Sequence, residues 1–442
     1  MKGLKKISIL LIIFFIVLTT VLISFASKSD AAEDELDLKL EAAILIDADS
    51  GIVLFEKNAD VVLGIASMSK MMTEYMVLEA IDQKKISWDQ PVEINEYVHK
   101  LSAAPGLSNV GLTQGEAYTV KELYEAMAIF SGNAATVALA ELIGGTEKNF
   151  VEMMNKKAEE LGLKDYKFVN SSGLNNSSLL GNHPAGGPDE ENVMSARATA
   201  KLAYRLLKDY PKVLDTASQP RLEFRDGRTY DNFNFMLPGL VYGYEGVDGL
   251  KTGSTDFAGY GFTATAKRGN QRFISVVMKA DTRDMRFTET TKILDYAFNN
   301  FKNEIVVEKN YQLKSKDSVP VTKGKEDQVE IQTVDEIILP IKKGEEDQYV
   351  PKLVLDKGKL DEKGNLTAPI KEGDRVGYLT IQTKSNEPIS YLTSEDENLV
   401  KVDVVAAEDV EKANWFVLVL SGIRGFFGAF LNNVSTSVKG LF

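Results

Sequence analysis

Three short clusters of hydroxyl, amine and amide side chains stand out in this chain of 442 residues. The first is Ser67-Met68-Ser69-Lys70. On a helix, residues three apart share a face, about 5–6 Å apart at Cβ, so Lys70 reaches the Ser67 hydroxyl. A serine hydroxyl becomes an effective nucleophile when a base takes its proton. A lysine amine serves as that base once burial or a second cation pushes its pKa down. The start of a helix adds unpaired N–H groups and a positive dipole end, both favourable to developing negative charge. The second cluster, Ser131-Gly132-Asn133, falls at a break between two predicted helices. Its serine can relay a proton, and its amide can hold a substrate carbonyl or orient Lys70. The third, Lys251-Thr252-Gly253, sits on a predicted edge strand. Lys251 and Thr252 suit a carboxylate, by charge and by hydrogen bonding. Gly253 leaves room for a substrate backbone to approach, and Lys251 is a second cation beside Lys70. Each cluster alone is a common spelling; the three together, in this order, are far more specific.

Composition removes other chemistries. There is no cysteine, so thiol nucleophiles, thiolate metal sites and disulfides are excluded. Two histidines, His99 and His183, rule out a three-His metal centre, and any Ser-His-Asp triad must use one of them. Neither lies in a matching motif. The chain carries 51 basic and 64 acidic residues, a net charge of −13, which argues against nucleic acid as a partner. No metal or organic cofactor is implied.

The elements that must position the clusters follow from periodicity. Residues 41–57 read as a hairpin turning at Asp49-Ser50-Gly51. A helix is predicted from Ser67 to Ile81, with Met71, Tyr75, Leu78 and Ile81 at helical spacing. Thr119 and Glu122 form a capping box opening a helix from Val120 to Phe130. Further helices are expected over Ala135–Ile143, Phe150–Leu161 and Phe287–Phe301, and strands over Gly261–Ala266 and Arg272–Val277. Strands at both ends with helices between predict one α+β domain whose sheet joins its first and last strands. From residue 304 short strand-like runs alternate with Lys/Glu/Gly turns, the pattern of a small all-β sandwich acting as a spacer.

The two ends differ from the rest. Met1 to Lys6 is basic, and Ile7 to Phe25 is apolar, a secretory signal with cleavage expected after Ser24-Phe25-Ala26 or near Ala31-Ala32. From Ala413 to Phe442 there is no acidic side chain, and Trp415–Leu420 is wholly apolar. The apolar stretch ending at Leu431 is short of the ~20 residues that span a bilayer, so an amphipathic helix at the membrane interface is expected. The expected organisation is a signal peptide over 1–32, a catalytic domain over 33–303, a β-sandwich over 304–408 and an anchor helix over 409–442. The protein is thus expected to be exported and to sit on the outer face of the cytoplasmic membrane.

Around the three clusters, Ile65–Thr73 and Asp248–Asp256 carry a wider resemblance, joined by Asn234-Phe235-Met236-Leu237, by Phe168-Val169-Asn170 with Gly173-Leu174, and by Glu411–Val417. On these segments the chain resembles the low-molecular-mass D-alanyl-D-alanine carboxypeptidases of the penicillin-binding, active-site-serine family. The resemblance implies a penicillin-recognising, β-lactamase-like α+β domain followed by a β-sandwich. It implies Ser67 as the acylated nucleophile, Lys70 as its base, and Ser131 and Asn133 as proton relay and substrate-orienting groups. Lys251 and Thr252 would bind the terminal carboxylate of a peptidoglycan stem peptide ending in D-Ala-D-Ala. The N–H groups of Ser67 and Ser254 would form the oxyanion hole. Arg286 falls where the family places a carboxylate-binding arginine, with Arg283 three residues away. β-Lactams are the implied covalent inhibitors. Three alternatives remain: a class A β-lactamase, with its deacylating glutamate sought in Asp189-Glu190-Glu191; a non-catalytic penicillin-binding wall protein; and a Ser-His-Asp hydrolase.

Overall fold

The computed structural model describes residues 35–312, 318–393, 398 and 400–414. The expected signal peptide and the apolar stretch from Trp415 lie outside the described residues. Among those described, no helix is long and apolar enough to cross a membrane.

A five-stranded sheet is the frame of the first domain. Its strands are β1 (Leu40–Asp47), β2 (Val53–Lys57), β3 (Val247–Thr255), β4 (Gly259–Arg268) and β5 (Gln271–Ala280). The spatial order is β3-β4-β5-β1-β2, so the first strand pairs antiparallel with the last and β3 lies at an edge, as the sequence pattern predicts. Successive residues of a strand point to opposite faces, and here both faces are covered. Ile274, Val276 and Met278 of β5 join Ile44 and Ile46 of β1 in the main core. On the other face Phe262 packs edge-on against Phe287, and Phe273 against Phe298; both partners belong to α6 (Met285–Asn300).

The remaining helices fill the space between β2 and β3 in sequence. They include α1 (Lys70–Asp82), α2 (Val120–Ala128), α3 (Asn133–Gly144), α4 (Glu147–Glu160) and α5 (Ala196–Asp209). The capping box is present: Thr119 Oγ1 accepts from the Glu122 N–H and the Glu122 carboxylate accepts from the Thr119 N–H. The helix it starts stops at Ala128, two residues early, leaving Ile129–Gly132 as the break that presents Ser131. α1 departs from the expected amphipathic stripe, because it runs through the core. Every residue from Lys70 to Leu78 is buried, Lys70 and Glu74 included.

The second domain begins at Phe301, immediately after α6, three residues before the expected boundary. A two-stranded ribbon (Phe301–Val307 with Ile337–Lys342) accompanies a six-stranded sheet. The order in that sheet is Tyr349–Leu355, Arg375–Thr383, Val402–Ala406, Gln328–Thr333, Ser318–Thr322, Leu366–Thr367. Alternating Val, Ile and Leu side chains form its separate core. The anchor was expected to begin at 409, but Val410 and Lys412 form β-bridges with the second domain instead. Val410 exchanges backbone hydrogen bonds with Ile370, and the Ala413 N–H bonds the Lys323 carbonyl. Val410 and Ala413 are buried there, which a sequence window dominated by Trp415–Leu420 conceals. The domains interlock. Ile52, in the β1–β2 turn, is buried in the second core, and Leu392 in the first. Backbone hydrogen bonds from Val53 to Ser390 and from Leu392 to Gly51 fasten the crossing.

Candidate active site

A cleft of about 580 Å³ opens where the edge strand β3 passes the start of α1. Ser67, Ser131, Asn133, Thr252, Gly253, Ser254 and Arg286 all line it. Residues up to 219 positions apart in sequence, from Ser67 to Arg286, are therefore gathered at one place by four elements: the α1 entry, the α2–α3 break, the edge strand and the start of α6.

Ser67 lies in a short 3₁₀ turn, Ala66–Ser69, that feeds α1, rather than in the α-helix itself. Ala66 has φ +44°, an uncommon backbone state for a residue with a Cβ, held because the neighbouring chain over-determines it. Gly173 (φ +81°) presses on this turn so closely that a Cβ there would lie 1.9 Å from the Ala66 carbonyl oxygen.

Lys70 is fully buried, and its Nζ has three neighbours. Ser67 Oγ is at 2.9 Å, Asn133 Oδ1 at 2.8 Å and the Ser172 carbonyl at 2.6 Å. The Asn133 amide is oriented by its own Nδ2–H, which donates to the Ser108 carbonyl at 3.0 Å. Two of the three neighbours of Nζ are pure acceptors. A neutral amine has two N–H donors and one lone pair. A neutral amine that donated both N–H bonds to Asn133 and Ser172 would turn its lone pair toward the Ser67 hydroxyl. Burial, then the positive charge of Lys251, hold the Lys70 pKa well below its ordinary value, against an opposing pull from Glu74.

The Ser172 carbonyl is held by a network that sequence reasoning did not assign. Asn170 Oδ1 accepts from the N–H groups of Ser172 (3.1 Å) and Gly173 (2.7 Å). Asn192 Oδ1 accepts from the N–H groups of Val169 and Asn170. Thr73, on α1, donates to the Ser171 carbonyl at 2.8 Å. The motif Phe168-Val169-Asn170 with Gly173-Leu174 was the available signal.

Ser131 has φ +59° and is buried at the cleft wall. Among the described residues its hydroxyl makes no hydrogen bond to Ser67 or Lys70, so the expected relay is not pre-wired in the free protein. Lys251 is buried, with its Nζ donating to the Thr252 carbonyl at 3.2 Å. Burial pushes its pKa down to about 8, opposed by Glu74 and reinforced by Arg286. Arg286 is buried with its Nε lacking a partner, and one Nη donates a long 3.4 Å bond to the Gly253 carbonyl. Arg283 is exposed and stacks on Phe235. The structure thus separates the two arginines, because of the two only Arg286 lines the cleft.

Gly253 corrects one expectation. The space its missing side chain leaves is taken by the nucleophile's own turn: a Cβ would lie 2.5 Å from the Ile65 carbonyl oxygen and 3.1 Å from the Ser67 nitrogen. The glycine lets β3 dock on the Ser67 turn, rather than admitting substrate. Glu191, from the acidic stretch weighed for a deacylating glutamate, does line the cleft. Its two oxygens already accept from Thr255 Oγ1 (2.6 Å) and Asn175 Nδ2 (3.3 Å). Neither histidine lines the cleft, and His99 Nδ1 is paired with the Leu112 carbonyl.

The chain has relatives among known proteins. The family model for D-alanyl-D-alanine carboxypeptidase matches residues 28–282, and that for the penicillin-binding protein 5 C-terminal domain matches residues 301–412. The chain is 36% identical over 372 residues to D-alanyl-D-alanine carboxypeptidase DacF of Bacillus subtilis, covering 84% of this chain and 89% of that protein. Among solved structures it is similar to a peptidoglycan synthesis regulatory factor (PBP3) from Streptococcus pneumoniae. That match has a TM-score of 0.71 and 35% identity, over 84% of this chain and 99% of the other. Ampicillin-bound penicillin-binding protein D2 from Listeria monocytogenes matches over 59% of this chain and 98% of its own, at 34% identity and a TM-score of 0.50. The chain belongs to the D-alanyl-D-alanine carboxypeptidase family.

Proposed function

We propose that the protein removes the terminal D-Ala from peptidoglycan stem peptides by acyl transfer through Ser67. The observation that carries this reading is the Lys70 amine, buried between two carbonyl oxygens with its third position 2.9 Å from Ser67 Oγ. In the first step Ser67 Oγ attacks the carbonyl carbon of the penultimate residue and its proton passes to Lys70 Nζ. The tetrahedral oxygen takes hydrogen bonds from the N–H groups of Ser67 and Ser254. The peptide C–N bond then breaks, and the leaving amine takes a proton through Ser131 as free D-Ala departs. Water hydrolyses the resulting ester and restores Ser67. Asn133 orients both Lys70 and the substrate amide.

The free carboxylate of the substrate accounts for the cationic wall. A protein of net charge −13 repels an anion unless the site itself is positive. Lys251, Thr252 and Arg286 supply that local charge and the donors. A β-lactam has the same carboxylate and a strained amide whose expelled nitrogen stays tethered, so it is expected to acylate Ser67 and leave slowly.

Mass spectrometry of benzylpenicillin-treated protein tests this reading. An adduct on the Ser67 peptide and D-Ala release from a D-Ala-D-Ala peptide are expected; a protein giving neither contradicts it. Rapid release of the penicilloyl group would favour a β-lactamase instead. The basic-then-apolar N-terminus and the acid-free C-terminal stretch support an exported protein held at the membrane interface. A truncation after Asn414, beyond the last sheet-paired residue, is expected to leave the membrane fraction and keep its activity. Unchanged membrane partition of that truncation contradicts the anchor.

A further inference from the structure

Lys70 donates to the Ser172 carbonyl, and a backbone carbonyl is placed only as well as the loop that carries it. Asn170, Ser171 and Ser172 are fully buried. A buried loop must find a partner for each backbone N–H and C=O. From α1, Thr73 Oγ1 donates to the Ser171 carbonyl at 2.8 Å and Lys70 Nζ to the Ser172 carbonyl at 2.6 Å. These two side chains are three residues apart, on one face of the helix. Asn170 Oδ1 takes the Ser172 N–H. The Ser171 N–H is met from a different helix. Glu147, the first residue of α4, accepts it on Oε1 at 3.0 Å. The same Oε1 accepts the Ser171 hydroxyl at 2.6 Å. Ser171 is thereby held between α1, through its carbonyl, and α4, through its N–H and hydroxyl.

The acyl-transfer steps leave Glu147 unused, and it is a costly residue to bury. It is 6% exposed, and its Oε2 is buried with no hydrogen-bond partner among the described residues. A buried carboxylate with one oxygen unsupported lowers stability. The N-terminus of α4 offsets part of that cost. Residues that break a local rule in this way are expected at functional sites. In return the carboxylate supplies one acceptor atom for two donors of a single residue, which fixes both the position and the orientation of Ser171. We propose that Glu147 is a positioning residue for acyl transfer: it holds Ser171 so that the next carbonyl, that of Ser172, stays in reach of Lys70 and keeps the amine directed at Ser67. The line runs from Glu147 Oε1 to Ser171, across one peptide unit to the Ser172 carbonyl, then to Lys70 Nζ and Ser67 Oγ. Its hydrogen bonds are 2.6, 2.6 and 2.9 Å long.

This inference rests on the carboxypeptidase reading and deepens it. The test is the concentration dependence of acylation by benzylpenicillin, which separates the limiting rate from half-saturation, with a thermal melt of each variant. Glu147→Ala frees Ser171, so the limiting rate should fall by about 10- to 100-fold, the range for a misplacement approaching 1 Å. Half-saturation should stay within about twofold, because Lys251, Thr252 and Arg286 are not on this loop. Glu147→Gln keeps an acceptor oxygen and is expected to hold the limiting rate within about threefold. Ser171→Ala breaks the hydroxyl bond alone and should lower that rate by about fivefold. A merely structural carboxylate would lower the melting temperature and leave the limiting rate of the folded protein unchanged. A folded Glu147→Ala protein with a limiting rate within threefold of the unaltered one overturns the inference, as does Glu147→Gln falling as far as Glu147→Ala. Should Glu147→Ala fail to fold, Ser171→Ala serves, and an unchanged limiting rate in that variant overturns the inference. An unaltered protein that is never acylated refutes the carboxypeptidase reading itself, a result distinct from an unmoved limiting rate.

Discussion

Replacing Gly253 by alanine is the smallest change that tests how the nucleophile is positioned. The added Cβ would lie 2.5 Å from the Ile65 carbonyl oxygen, 3.0 Å from the Met68 nitrogen and 3.1 Å from the Ser67 nitrogen. All three are backbone atoms, so no side chain can swing aside. Ordinary contact begins at 3.4 Å, and strand or turn must therefore give by about 0.9 Å. The turn has little freedom to yield, because Gly173 also packs closely on Ala66. β3 consequently moves outward, taking Ser254 and Lys251 with it. A misplacement of about 1 Å costs roughly 10²-fold in rate, or about 2.7 kcal/mol in the barrier. The assay is the second-order rate of Ser67 acylation by a fluorescent penicillin, with circular dichroism and a thermal melt to confirm the fold. A folded Gly253→Ala protein acylated within about threefold of the unaltered rate would refute the docking argument.

Other outcomes follow from the same geometry. Arg286→Gln should raise KM for a D-Ala-D-Ala peptide by roughly 10- to 100-fold, the cost of a lost charge-assisted bond. Arg283→Gln should leave it within about twofold; equal effects in steady-state kinetics would contradict the assignment. Thr119→Ala removes the α2 cap and should cost about 1 kcal/mol, read as a melting temperature lower by roughly 2–4 °C, without changing the acylation rate. The pH profile of acylation should be bell-shaped. Below the depressed Lys70 pKa the base is protonated and the rate falls with falling pH. Above about pH 8 Lys251 loses its charge and the rate falls with rising pH. A rate still climbing at pH 10 would contradict both assignments.

The local signals in the chain were strong where one element determines them. The Thr119/Glu122 capping box, the β1–β2 hairpin and the β4–β5 pair are each set by a few neighbouring residues. The expected edge position of Lys251 holds, its strand lying at one side of the five-stranded sheet. The site residues were legible because their spacing carries the chemistry: three residues from Ser67 to Lys70, two from Ser131 to Asn133. What stayed hidden depends on the third dimension. Glu74 looks like an ordinary helix-surface acid until α1 is seen to run through the core. Ser172 contributes only a carbonyl, which any residue possesses, so no side-chain pattern announces it. The role of Gly253 is to admit another piece of backbone, and Val410–Ala413 belongs to a sheet whose partner strands are distant in sequence.

The central claim is that Lys70 is a neutral amine in the resting protein. Nitrogen-15 NMR of the lysine Nζ groups, with the Lys70 signal identified by its loss in Lys70→Met, measures this directly. The account predicts an amine that sheds its proton well below the range of an ordinary lysine. A Lys70 signal that remains an ammonium up to about pH 10, as an ordinary lysine does, would contradict it.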